Sequence, residues 1–376
     1  MNIIGANGLS SSEVSSKARE ILERKIESGR ASAIRLIEHV RDAAPIDTIA
    51  KGSEFLFRPT DAGVTIERAS VGKALGIHKH ALQQLASRAH VPGAYINDLV
   101  AGTPWQKELA ADILNRHYHK GEDARMLVRS VKAGNGLEVR GVMSDRYRRL
   151  DSRPLVAAFC ESIQSVGAVA VDGHVTDTRV ALRALLPTVY EPIEGEALCL
   201  GIEWGNSDFG AARHTIRAFI LRLWCLNGAT MENALAQVHV GGKLGHDIAL
   251  SQRTYELDTQ ASASALDDVI RGTIAPEKVE VLLAGIRSAH EKKIDWKNAK
   301  GSLAKKLLKG ELDAVAQAYE SKDNYNMPEG QTTWRLSNAI SWIAGHTEDG
   351  DRKLELQRLA GEVVNGKRDR EFAEAA

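Results

Sequence analysis

The sequence predicts an α+β fold: an antiparallel β-sheet core with a helix packed on it, flanked by helical regions at both ends. Three observations predict it. Near the middle, MLVRSV (126–131) and LEVRGVMS (137–144) are β-prone runs joined through Gly134, Asn135 and Gly136, a hairpin signature. Directly after them, LVAAFCESIQSVG (155–167) has helical amphipathicity and stops at Gly167. On either side, apolar residues recur over long stretches at helical rather than strand spacing. These signals divide the chain into a helical N-terminal region (1–120), an α+β core (121–250) and a helical C-terminal region (251–376).

The elements follow in order. Ser10, Ser11 and Ser12 offer cap hydroxyls to a helix whose apolar residues include Leu22, Ile26, Ile37 and Val40, with Pro45 closing it. A second helical region is expected after Thr60. In VGKALGIHKHALQQLASRAHVPGAYINDLV (71–100), Leu75, Leu82, Leu85 and Ala89 share a face, and Pro92-Gly93 separates this from a helix through Leu99. Two helices around a short turn admit a helix-turn-helix reading, but an ordinary packed helical hairpin is the commoner outcome. After the central hairpin and helix, AVAVDG, TRVALRALLP and ALCLGIEWG read as strands. RHTIRAFILRLWCLNG (213–228) fits a strand or a helix, since period alone does not separate them. Beyond Ala234 the pattern is helical almost to the end, with a frayed tail in KRDREFAEAA.

Composition narrows the function classes. Basic and acidic residues balance at 49 each, which excludes a wholly basic nucleic-acid binder but leaves room for local patches. Cys160, Cys199 and Cys225 are far apart and form no C-x-x-C pair, as expected for a reducing cytoplasm. The N-terminus has no secretory pattern, and no apolar run is long enough for a membrane span. There is no P-loop and no H-E-x-x-H. His117 and His119, and His239 and His246 beside Asp247, lack partners at metal-ligand spacing, so no metal and no cofactor is expected.

The clearest chemistry is a basic run interleaved with an aromatic. SDRYRRLDSR (144–153) sets Arg146, Arg148 and Arg149 around Tyr147, and the hairpin before it adds Arg129, Lys132 and Arg140. Guanidinium groups suit phosphates because their planar fork donates two parallel hydrogen bonds and keeps its charge. An adjacent ring can stack a base. The bland reading is a solvated hairpin whose arginines pair with nearby acids. A second candidate is the turn 205–210, dense in residues that tolerate positive φ, which follows Trp204 and leads into Arg213 and Arg217. A third is the basic, amphipathic run EKKIDWKNAKGSLAKKLLKG (291–310), more often a solvated face than a binding one.

Four segments in order, ALQQLASRAHVPGAYINDL (81–99), VMSDRYRRLD (142–151), GNSDFGAA (205–212) and RLWCLNG (222–228), resemble landmarks of a family of bacteriophage- and plasmid-encoded proteins of unknown function. The resemblance covers roughly residues 55–255. It implies a mobile-element setting near replication or recombination genes, and it implies no catalytic residues. The hairpin–helix–sheet order is also similar to phage single-strand annealing proteins, a fold-level analogy.

The expectation is therefore a homo-oligomeric, non-enzymatic protein that binds single-stranded DNA and anneals strands. Arg129, Lys132, Arg140, Arg146, Arg148 and Arg149 would hold phosphates, Tyr147 or Trp204 would stack bases, and Arg213 and Arg217 would line the other wall. Two rivals stand beside it. One is a protein-interaction or host-inhibitor module of a mobile element. The other is a metal-dependent nuclease using Asp145, Asp151, Asp208 and the histidines.

Overall fold

The computed structural model describes residues 11–68, 72–120, 124–134, 136–237, 251–321 and 325–372. The chain builds two sheets rather than one. The first has six strands: β1 (Ile46–Lys51), β2 (Phe55–Thr60), β3 (Gly63–Arg68), β4 (Ala74–Ile77), β5 (Arg125–Ala133) and β6 (Gly136–Ser144), in the order β1-β5-β6-β4-β3-β2. Its neighbours are antiparallel except β4 and β6, which run parallel. The expected central hairpin is β5–β6, although Asn135 of its turn lies outside the described residues.

β1 to β4 correct the expectation of an all-helical region before residue 120. Each strand has at most six residues, too few for a period to stand out, and their cross-strand partners supply what the local pattern lacks. Alternation is nonetheless present: Phe55 and Phe57, then Val64 and Ile66, point into one core. Pro59 is tolerated because β2 is an edge strand. Helices α2 (Lys79–Arg88), α3 (Gly93–Ala101) and α4 (Pro104–Lys120) close that core through Leu82, Leu85, Ile96, Leu99 and Leu114. The α2–α3 pair is thus a packed hairpin.

The second sheet is an antiparallel meander of β7 (Val169–Val175), β8 (Val180–Ile193), β9 (Glu196–Asn206), β10 (His214–Arg222) and β11 (Asn227–Gln237). The ambiguous run at 213–228 forms the strand β10, paired on both sides. The helix α5 (Ser152–Ser165) follows β6 as expected, and Gly167 takes a φ of +74° just beyond it. The long helix α1 (Ser11–Asp42) buries Val14, Ala18, Leu22 and Ile26 in one core and Ala33, Leu36 and Val40 in another. Between these sets, Gly29 lets α1 cross β7 closely, since a Cβ there would lie 2.3 Å from the Val171 carbonyl oxygen.

The C-terminal region is helical: α6 (Gln252–Thr273), α7 (Pro276–Glu291), α8 (Trp296–Leu303), α9 (Lys309–Glu320), α10 (Thr333–Gly345), α11 (Gly350–Val364) and α12 (Asp369–Phe372). Its apolar faces join α5 and the second sheet in the largest core, around Leu266, Ile286, Trp334, Ile340 and Val363. No helix among the described residues is long and apolar enough to cross a membrane.

Candidate nucleic-acid interface

Most of the arginines expected to face solvent are spent on the protein itself. Arg129, on β5, is 1% exposed. Its Nε donates to Asp47 on β1 at 2.8 Å, its Nη1 donates to the Asp208 carbonyl at 2.8 Å, and its Nη2 lies 2.7 Å from Asp151. It thereby bolts the first sheet to the β9–β10 turn of the second. Arg149 lies 3.4 Å from Asp47 and sets its guanidinium 4.5 Å above the Tyr255 ring. Arg148 makes a two-pronged pair with Asp258 on α6, both contacts at 2.6 Å. Arg140 bonds Glu138 at 3.0 Å and reaches Asp177 between β7 and β8. None of these four is placed to hold a phosphate while its carboxylates remain.

Arg217 has a similar fate. Asp172, Arg183, Glu203 and Arg217 stand in register across β7, β8, β9 and β10, a row of alternating charge. Glu203 is fully buried, and accepts from Arg183 at 2.8 Å and from Arg217 at 3.1 Å. Burial would raise its pKa, but the two guanidiniums outweigh that and hold it below the usual range.

The aromatic candidates are core residues. Trp204 is 0% exposed, stacks on Phe159 at 6.2 Å and meets His214 edge-on. Tyr147 packs with Leu127 and Met143, and burial pushes its hydroxyl well above the ordinary phenol range. The expectation that these rings stack bases is corrected accordingly: Trp204 is wholly enclosed, and Tyr147 is held among core side chains with only 8% exposed. Lys132 and Arg213 are exposed and Arg146 is half-buried, so these three remain at the surface.

Of the nuclease reading, only Asp151 and Asp208 come together, and they do so around a cation the protein already supplies. Asp47, Asp151 and Asp208 surround Arg129, while Asp145 lies 3.9 Å from Arg125. Among the described residues, no group of three His, Cys, Asp or Glu is placed to hold a metal ion. His119 donates through Nε2 to the Phe55 carbonyl at 2.8 Å, and His239, His246 and Asp247 lie outside the described residues.

What does open to solvent is a concavity of about 410 Å³ between α2 and β6, lined by His80, Gln83, Gln84, Ser87, Arg88, Val142, Met143, Ser144 and Tyr147. Gln84 fixes its floor: its side-chain oxygen accepts from the Val142 amide at 2.6 Å, and its amide donates to the Phe209 carbonyl at 2.9 Å. His80 Nε2 donates to the same carbonyl at 3.0 Å, and burial lowers its pKa. Gln83 and Ser87 are exposed, Arg88 is half-buried, and no carboxylate lines the hollow. From the sequence, His78, Lys79, His80, Gln83 and Gln84 do not form a strong phosphate-reading face, and Ser87 and Arg88 are not singled out. The signal was present: residues 80, 83, 84, 87 and 88 share one helical face.

Three of the four ordered segments meet here, because α2, the end of β6 and the turn at 205–212 are joined through Gln84 and Arg129. The fourth lies elsewhere, where Arg222 clamps Glu196 with two contacts of 2.5 Å and Trp224 donates to the Gly195 carbonyl. No protein-family model matches the chain, and neither a curated protein nor a solved structure matches it.

Proposed function

We propose that this chain binds single-stranded DNA along the concavity between α2 and β6 and acts as a homo-oligomeric annealing protein of a phage or plasmid. The observation that carries the reading is the lining of that hollow: amide, hydroxyl and cationic groups with no carboxylate among them. An anionic strand enters such a surface without meeting like charge, and phosphate contacts from Arg, Gln and Ser side chains position a backbone without reading its bases. Exposed Lys79 and Gln83 and half-buried Arg88 stand on α2, while half-buried Arg146 and exposed Arg213 follow β6 and the turn at 205–212 in the chain. The family resemblance supplies the mobile-element setting.

The test is a salt series of binding to a labelled oligothymidylate. The parent should lose affinity steeply with salt. Replacing Arg88, Arg146 and Arg213 together by Gln should flatten the slope by about 2, at roughly 0.7 for each neutralised phosphate of a single strand. A parent that binds no single strand at any salt, or a triple variant indistinguishable from it, overturns the reading.

A further inference from the structure

The C-terminal basic run has the reverse character of the hairpin. Residues 291–310 carry seven lysines against Glu291 and Asp295. Lys292 pairs with Asp369, whereas Lys293, Lys297, Lys300, Lys305, Lys306 and Lys309 are all exposed and form no ion pair among the described residues. Several of the carboxylates near them are already engaged. Asp295 caps α8 by accepting from the Lys297 amide at 2.8 Å, and Glu320 accepts from Trp296 at 2.6 Å. Arg368 takes Glu371 at 2.6 Å, and Arg352 holds Glu311.

The lysines stand on a fixed platform. Ala299 and Leu303 of α8 are fully buried, and Trp296 stacks on Tyr319 at 4.5 Å. Lys297 and Lys300, three apart on α8, share one helical face, and Lys293 precedes the helix in a β-bridge with Thr332. Between the lysines the surface is low: Ala304 is exposed, and nothing lies within 4 Å of where a Cβ would stand on Gly301 or Gly310. Like charges gathered without partners repel one another, so this arrangement does not serve the stability of the folded chain. Lysine also suits contact that ignores sequence, being a point charge rather than a planar fork.

Resting on the reading above, we infer that the face formed by α8 and the turn after it is a second phosphate-binding surface, which holds a second DNA strand. Annealing brings two polyanions together, and a chain with two separate cationic surfaces holds one strand on each while the bases find partners. Each contact releases condensed counterions and is therefore salt-sensitive.

The experiment replaces Lys297, Lys300, Lys305 and Lys306 together by Gln, with the matching Lys→Arg variant as control. Oligothymidylate stoichiometry is measured at low salt, and the slope of affinity against salt is measured for each protein. The expected result is two strands per parent chain and one per Gln variant. The slope should fall by up to about 3 in the Gln variant, at roughly 0.7 for each lost contact. The Arg variant should behave as the parent, and neither variant should melt below it. A Gln variant that keeps the parent's stoichiometry and slope overturns the inference, as does an Arg variant that loses the second strand. If the Gln variant binds as the parent while the Arg88/Arg146/Arg213 variant is impaired, this inference fails and the proposed function stands. The converse result sustains the lysine face and removes the α2–β6 concavity as the site.

Discussion

Asp208 accepts two hydrogen bonds from Ser152, one from its amide and one from its hydroxyl, each at 2.7 Å. Through this contact the β9–β10 turn holds the first residue of α5, while Arg129 approaches the same turn from the first sheet. The two sheets and the central helix thus share one polar joint.

The joint makes stability depend on pH. Burial, helped by the nearby Asp151 charge and opposed by Arg129, pushes the Asp208 carboxyl up to about 6 from an ordinary value of 3.8. A folded-state value above the unfolded one means that the folded chain holds a proton the unfolded chain releases. The resulting stability is fully present below the ordinary value and is lost as pH rises through about 6. Asp208→Asn keeps an acceptor for Ser152 and removes the titration. Urea midpoints should show the parent losing about 3 kcal/mol relative to this variant between acid and neutral pH. Parallel profiles for the two proteins would exclude the mechanism.

Glu203 has the opposite sign. Its lowered pKa contributes stability above the ordinary carboxylate value, and that contribution is lost as pH falls through the lowered value. Glu203→Gln leaves Arg183 and Arg217 buried beside an uncharged partner, which should cost about 3–5 kcal/mol at neutral pH. The gap from the parent should narrow in acid. An unchanged denaturation midpoint at neutral pH would mean that the charge row is not a stabilising element.

Arg148 separates structure from binding. Its pair with Asp258 ties the turn after β6 to α6, with both side chains about a third exposed. Arg148→Ala should therefore lower stability by about 1 kcal/mol. The salt slope of DNA binding should stay that of the parent. A slope reduced by one phosphate equivalent with an unchanged melting temperature would show instead that Arg148 leaves Asp258 for the strand.

The α+β class, the β5–β6 hairpin, the α5 helix with its glycine stop and the helical C-terminal region were legible in the sequence. Each rests on a local signal: a turn dipeptide, a period or a terminator. The short strands β1 to β4 and the strand state of β10 were not, because pairing with distant partners decided them. The site divides in the same way. The cationic run 146–149 and the lysine run 291–310 look alike as composition, yet Arg148 and Arg149 are paired, while among the described residues six of the seven lysines form no ion pair. Arg129 meets Asp47 across 82 residues of sequence and Arg148 meets Asp258 across 110, so no local pattern could announce either contact. Alternation and helical period report which face of an element is apolar. Whether a charge on the other face finds a partner depends on which distant carboxylate the folded chain carries to it, and only the tertiary structure decided that.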